Sequence, residues 1–183
     1  MSYKISDYIV GFDKELKLFK TLYLKGSFPN AILFQGLEGI GKYTFIIHLI
    51  NYIMNNKFNN DLENNLINNK DVLILKMLEG NSEYKLDEIK EIINFCKFKS
   101  IDDNPRFIVV KNSNLLNNSS VNAILKLIEE TNENLYFLFS SNFMFESSKT
   151  LESRFFKKKM FLKKKYYEKI VFDFFKNNNI SSI

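Results

Sequence analysis

The segment Gly36-Leu-Glu-Gly-Ile-Gly41-Lys42 restricts the possible folds of this chain more than any other. It fits G-x-x-x-x-G-K and holds three of the chain's six glycines. Before it runs Ala31-Ile-Leu-Phe34, which suits a buried strand. After it, residues 42–54 are apolar nearly all round, which suits a buried helix. Strand, glycine turn and helix are the context a phosphate-binding loop requires. Its glycines let backbone N–H groups curl round phosphates, the helix N-terminus adds positive potential, and the Lys reaches the outer phosphates. Gly36, Gly39, Gly41, Lys42 and Thr44 are the candidate phosphate-binding residues. A glycine-rich turn without a ligand is the alternative.

The remaining pattern extends this one unit into a series. Residues 15–25 read as a helix with Leu16, Phe19 and Leu22 on its apolar side. Residues 57–69 are Asn-rich and read as a loop or a weak helix around Leu62 and Leu66. Further strands are expected at 71–75, 107–110, 135–139 and 155–162. Helices are expected at 86–98, at 120–130 with Ser119 or Ser120 as N-cap, and at 166–176. Strands alternating with helices imply an α/β domain: a parallel sheet of about five strands, covered by helices on both faces. Residues 1–163 form this base domain, and 164–183 a short helical tail.

The loop has a defect. Tyr43 stands where Ser or Thr should hold Mg²⁺, and Thr44 comes one position, about 100° of helix rotation, too late. The strand at 107–110 should end in acids that hold the metal and polarise water. It ends instead in Lys111-Asn112, the wrong sign for a metal. Hydrolysis by this chain is therefore not expected, and nucleotide binding stays open.

Composition narrows the alternatives. One Cys and one His exclude a disulfide framework and leave no set of zinc ligands. The 26 basic and 21 acidic residues give a net charge of +5, which permits nucleic-acid contact without demanding it. No run reaches the ~18 apolar residues of a membrane span, so a cytoplasmic protein without membrane partners is expected. His48 reads as a packed residue and Cys96 as a small buried hydrophobe. Lys157, Lys158 and Lys159, then Lys163, Lys164 and Lys165, form two basic runs. They could meet phosphate backbones or be a solvated face.

Several stretches resemble one known family, in its order. These are Val10-Gly11 before the first helix, Pro29-Asn-Ala-Ile-Leu-Phe34 entering the loop, and Leu86-Asp-Glu-Ile-Lys90. The most specific is Asn122-Ala-Ile-Leu-Lys-Leu-Ile-Glu-Glu130, similar to N-A-L-L-K-x-L-E-E. Ser140-Ser-Asn142 is similar to a sensor 1 motif, and Ser153-Arg154-Phe155 to S-R-C. Over about residues 8 to 162 the chain resembles the AAA+ clamp-loader subunits of bacterial DNA polymerase III, and among them the delta-prime type. Tyr43, Lys111 and Asn112 agree with that type, commonly a degenerate ATPase. Phe155 in place of Cys, Thr131 in place of Pro, and the missing four-Cys zinc module depart from the wider family. The family's lid and collar domains are absent from the 183 residues.

The resemblance implies a non-hydrolysing member of a hetero-oligomeric ring that loads a sliding clamp onto primed DNA. It implies that Arg154 enters a neighbour's ATP site as a trans arginine finger, and that Asn142 senses a γ-phosphate. The residues alone leave other roles open: Arg154 on a surface turn paired with Glu152, Asn142 as a loop cap, Lys42 bonded to backbone carbonyls. ATP is the candidate ligand of the loop, without a functional Mg²⁺ site. An ATP-hydrolysing P-loop protein and a stand-alone nucleotide- or DNA-binding module are the rival functions.

Overall fold

A computed structural model describes residues 9–54, 62–77, 82–84, 86–100, 103–130, 134–142 and 149–177. The elements run α1 (Asp13–Leu24), β1 (Ala31–Gly36), α2 (Lys42–Ile53), α3 (Leu62–Ile67), β2 (Val72–Leu75), α4 (Leu86–Lys97), β3 (Arg106–Val110), α5 (Asn118–Glu130), β4 (Leu135–Asn142), α6 (Lys149–Arg154), β5 (Phe156–Lys159) and α7 (Lys164–Asn177). A single 3₁₀ turn, Ser113–Leu115, precedes α5. Thr131 and the first part of the 57–69 segment lie outside the described residues.

The five strands form one sheet in the order β2-β3-β4-β1-β5. Every pairing is parallel. Strands buried on both faces need apolar residues at consecutive positions. Arg106–Val110 is buried throughout, and β1 and β4 nearly so. Alternate residues feed two cores. Ile32, Phe34, Phe107, Val109 and Leu138 pack with α1, α2 and α3. Leu33, Ile108, Val110, Phe137 and Phe139 pack with α4 and α5. Phe19 anchors the first core, with Phe28, Phe34 and Phe45 edge-on around it at 5.3–6.1 Å.

Two expectations need correction, and one element was not foreseen. The cap of α5 is Asn117, whose Oδ1 accepts the Ser120 N–H at 2.9 Å. Ser119 and Ser120 lie inside the helix. The fifth strand covers only Phe156–Lys159 because Phe155 leaves the ladder to pack in the second core. Before it comes α6, six residues too short to show a helical period.

Parallel strands put all C-terminal ends on one edge. The glycine loop leaves β1 at that edge, beside Lys111 after β3 and Asn142 at the end of β4.

Candidate functional site

The loop keeps the backbone of a phosphate cradle. Gly39 and Gly41 have φ of +77° and +93°, the left-handed region that glycine enters without strain. Gly41 is the N-cap of α2, and its carbonyl accepts the Phe45 N–H at 2.9 Å. At Gly36 a Cβ would lie 2.8 Å from the Met160 carbonyl and 2.5 Å from Ile40 Cδ1. Glycine there lets the chain beyond β5 close against the loop.

Lys42 does not reach outward. Its Nζ donates to the carbonyls of Gly36 at 2.9 Å and Leu37 at 2.6 Å. The side chain is buried, and burial lowers its pKa below the ordinary lysine value, partly offset by Glu38. Of the two roles the sequence leaves open, the geometry has the ammonium closing the loop on itself.

The metal-ligand position is filled. Tyr43 Oη donates to Glu63 Oε1 at 2.8 Å, and the Lys76 ammonium pairs with the same oxygen. Lys111 Nζ lies 5.3 Å from the Tyr43 ring centre and Lys76 Nζ 5.8 Å, both within cation–π range. Burial, reinforced by Glu63, raises the phenol's pKa, so it stays protonated. Two ammonium groups repel a divalent cation, and the neutral phenol offers it no anionic ligand. The residues present do not fit Mg²⁺. Thr44 is half-buried one position further round α2. Glu63 and Lys76 escape sequence reasoning because both are distant in the chain.

Asn142 stands directly beside Gly36 in the β1–β4 register. Its N–H donates to Asn114 Oδ1 at 3.3 Å, and Ser140 Oγ accepts the Asn112 N–H at 3.2 Å. These bonds tie the end of β4 to the turn after β3. The sensor position and the loop are thus adjacent.

Arg154 lies elsewhere. It ends α6, two residues before β5, where Phe156 pairs with Ile32. That is the edge where β1 begins, a strand length of roughly 20 Å from the loop. The side chain is half-exposed. Its Nε donates to Glu129 Oε1 at 3.0 Å and its Nη1 to Ser153 Oγ at 3.0 Å. Glu129, in the Asn122–Glu130 stretch, is thus a partner of Arg154, whereas the Glu152 side chain lies outside the described residues.

His48 is buried within α2. Burial raises the Cys96 thiol to about 11, against an opposing pull from Arg106. Lys158 pairs with Glu15 at 3.3 Å, while Lys157 and Lys159 are exposed on the edge strand. Among the described residues, no cluster of His, Cys, Asp and Glu could hold a metal, and no helix is long and apolar enough to cross a membrane.

The family model for "DNA polymerase III, delta subunit" matches residues 12–161. A DNA polymerase III gamma subunit-related protein from Thermotoga maritima superposes with a TM-score of 0.67 at 17% identity, covering 90% of this chain and 53% of its own. The RuvB Holliday junction branch migration motor of Thermotoga maritima superposes with a TM-score of 0.57, also at 17% identity, covering 91% and 50%. At these identities the likeness shows the fold alone, that of an AAA+ P-loop base domain. The chain spans about half the length of these structures. No curated protein matches. A family match over most of the chain, on a sheet of this order, makes this chain a member of the DNA polymerase III delta subunit family.

Proposed function

We propose that this chain is a delta-prime-type subunit of a clamp loader: a ring member that does not hydrolyse ATP and completes a neighbour's ATP site with Arg154. The observation that carries this reading is the Tyr43–Lys111 contact of 5.3 Å. Both positions that would hold Mg²⁺ are filled, and the residues filling them touch each other. ATP, the candidate ligand of the loop, would have to displace Lys42 from two carbonyls and would meet no metal ligand. The loop's work in this reading is to hold β1, β4 and α2 in fixed relation.

Arg154 is a strand's length from its own chain's loop, so a phosphate it touches belongs to another subunit. Arginine suits the task. Its planar fork donates two parallel bonds to phosphate oxygens and stays charged at any working pH. Charge gathering on the γ-phosphate in the transition state is what such a cation stabilises. The partners in this reading are the other ring subunits and, through the assembled ring, the sliding clamp and primed DNA.

The test is reconstitution with the catalytic clamp-loader subunit of the same organism, reading DNA-stimulated ATPase. Wild type should stimulate, and Arg154→Ala should assemble but fail to stimulate. No complex, or a mutant equal to wild type, overturns the reading. Turnover by the purified chain with Mg²⁺, abolished by Lys42→Ala, would instead make it an ATPase in its own right.

A further inference from the structure

We propose that Glu129 is a positioning residue for Arg154, holding its guanidinium in the attitude in which it meets a neighbour's phosphate. The proposal rests on the trans-finger reading and deepens it.

The backbone at Arg154 is already fixed. Phe155, the next residue, is buried against Phe139 with ring centres 4.9 Å apart. The side chain has no such support from the core. A half-exposed arginine samples many rotamers, and ordering it at each encounter costs entropy. Two bonds oppose that freedom. Glu129 Oε1 takes the Nε–H at 3.0 Å. Ser153 Oγ takes an Nη1–H at 3.0 Å while its own hydroxyl donates to the Thr150 carbonyl at 2.8 Å. Nη2 has no partner among the described residues. The guanidinium is therefore gripped at Nε and Nη1.

Glu129 comes from α5 and Ser153 from α6. The grip thus spans two helices that flank one edge of the sheet, and it fixes the direction of the fork relative to the domain. Preorganising a group that stabilises a transition state raises turnover, with less effect on substrate binding. The carboxylate also offsets some positive charge: a Glu129 that only restrained the finger would make its removal activating.

The experiment uses the reconstituted ring and reads kcat and KM of the DNA-stimulated ATPase. Glu129→Ala should lower kcat about twofold to fivefold, the scale of an exposed ion pair, with KM and assembly unchanged. Glu129→Gln keeps an oxygen acceptor for Nε and should restore most of the rate. Adding Glu129→Ala to Arg154→Ala should cause no further loss, since the two act as one unit. An unchanged or raised kcat in Glu129→Ala, with Arg154→Ala still impaired, overturns this proposal alone. If Arg154→Ala equals wild type, the finger reading falls and the proposal with it. Loss of assembly in Glu129→Gln would make Glu129 an interface residue and likewise overturn it.

Discussion

Lys42 Nζ sits 2.9 Å from the carbonyl oxygen of Gly36, the glycine six residues before it, so the loop's one cation is a tie across the loop. Lys42→Met keeps the apolar stem and removes the tie. It should cost about 1–3 kcal/mol, because buried carbonyls lose their donor. Urea unfolding would show a lower midpoint at unchanged slope, while stimulated ATPase in the assembled ring stays at the wild-type level. Burial lowers the Lys42 pKa from 10.5, so just below that value the unfolded chain binds more protons than the folded one. Stability in that window gains with rising pH in the wild type, and the gain should shrink in Lys42→Met.

Mg²⁺ should add nothing to nucleotide affinity. Calorimetric titration of ADP or ATP should give the same result in Mg²⁺ and in EDTA. Tightening by more than about tenfold, or 1.4 kcal/mol, would contradict the filled metal position. Tyr43→Phe should destabilise the domain by about 1.5–3 kcal/mol, the worth of a hydrogen bond to a charged group.

Arg154→Lys should fail almost as fully as Arg154→Ala. Lysine keeps the charge but cannot hold Glu129, Ser153 and a phosphate at once from one planar group. The drop in stimulated kcat should be at least about tenfold for both variants, well inside the ~10³ or more that an arginine finger supplies. A lysine variant near wild type would mean that charge alone is used.

Asp71 and Arg106 form a buried pair at 3.7 Å. The guanidinium lies 3.8 Å over the Phe95 ring and donates to the carbonyls of Phe95 and Phe98. Asp71→Ala should cost about 3–5 kcal/mol by leaving a buried charge without its partner. The double variant Asp71→Ala with Arg106→Met should recover part of that loss in the same unfolding assay.

Cys96 should react slowly. Burial lifts its thiol from 9.0 to about 11. At pH 8 the thiolate fraction is then about a hundredfold below that of a free cysteine. Alkylation of the native chain should lag the unfolded chain by at least that factor and should accelerate as pH rises toward 11. A rate equal to that of the unfolded chain would place the thiol in solvent.

Much of the fold was legible because its strands declare themselves. Residues 31–34, 107–110 and 135–139 are short apolar runs, and a sheet buried on both faces requires such runs. The loop was legible because Gly39 and Gly41 do what few other residues can. What stayed hidden depends on tertiary contact. A fifth strand was expected at 155–162, but its true extent, Phe-Lys-Lys-Lys, is set by where β1 offers an edge to pair with. Helix α6 is too short to show a period. Tyr43 could be read as the loss of a metal ligand, but its bond to Glu63 spans 20 residues, and the Arg154–Glu129 pair spans 25. No local pattern encodes either distance.

The cluster around Tyr43 also bears on what it would take to regain a metal. Restoring a hydroxyl ligand at position 43 alone would leave Lys76 and Lys111 facing an arriving divalent cation. Restoring an acid at position 111 alone would leave the ring in place and its bond to Glu63 intact. Each single reversion removes packing or leaves cation against cation, and neither regains a metal. From this arrangement no one substitution opens a metal site; at least two coordinated changes, at positions 43 and 111, are required.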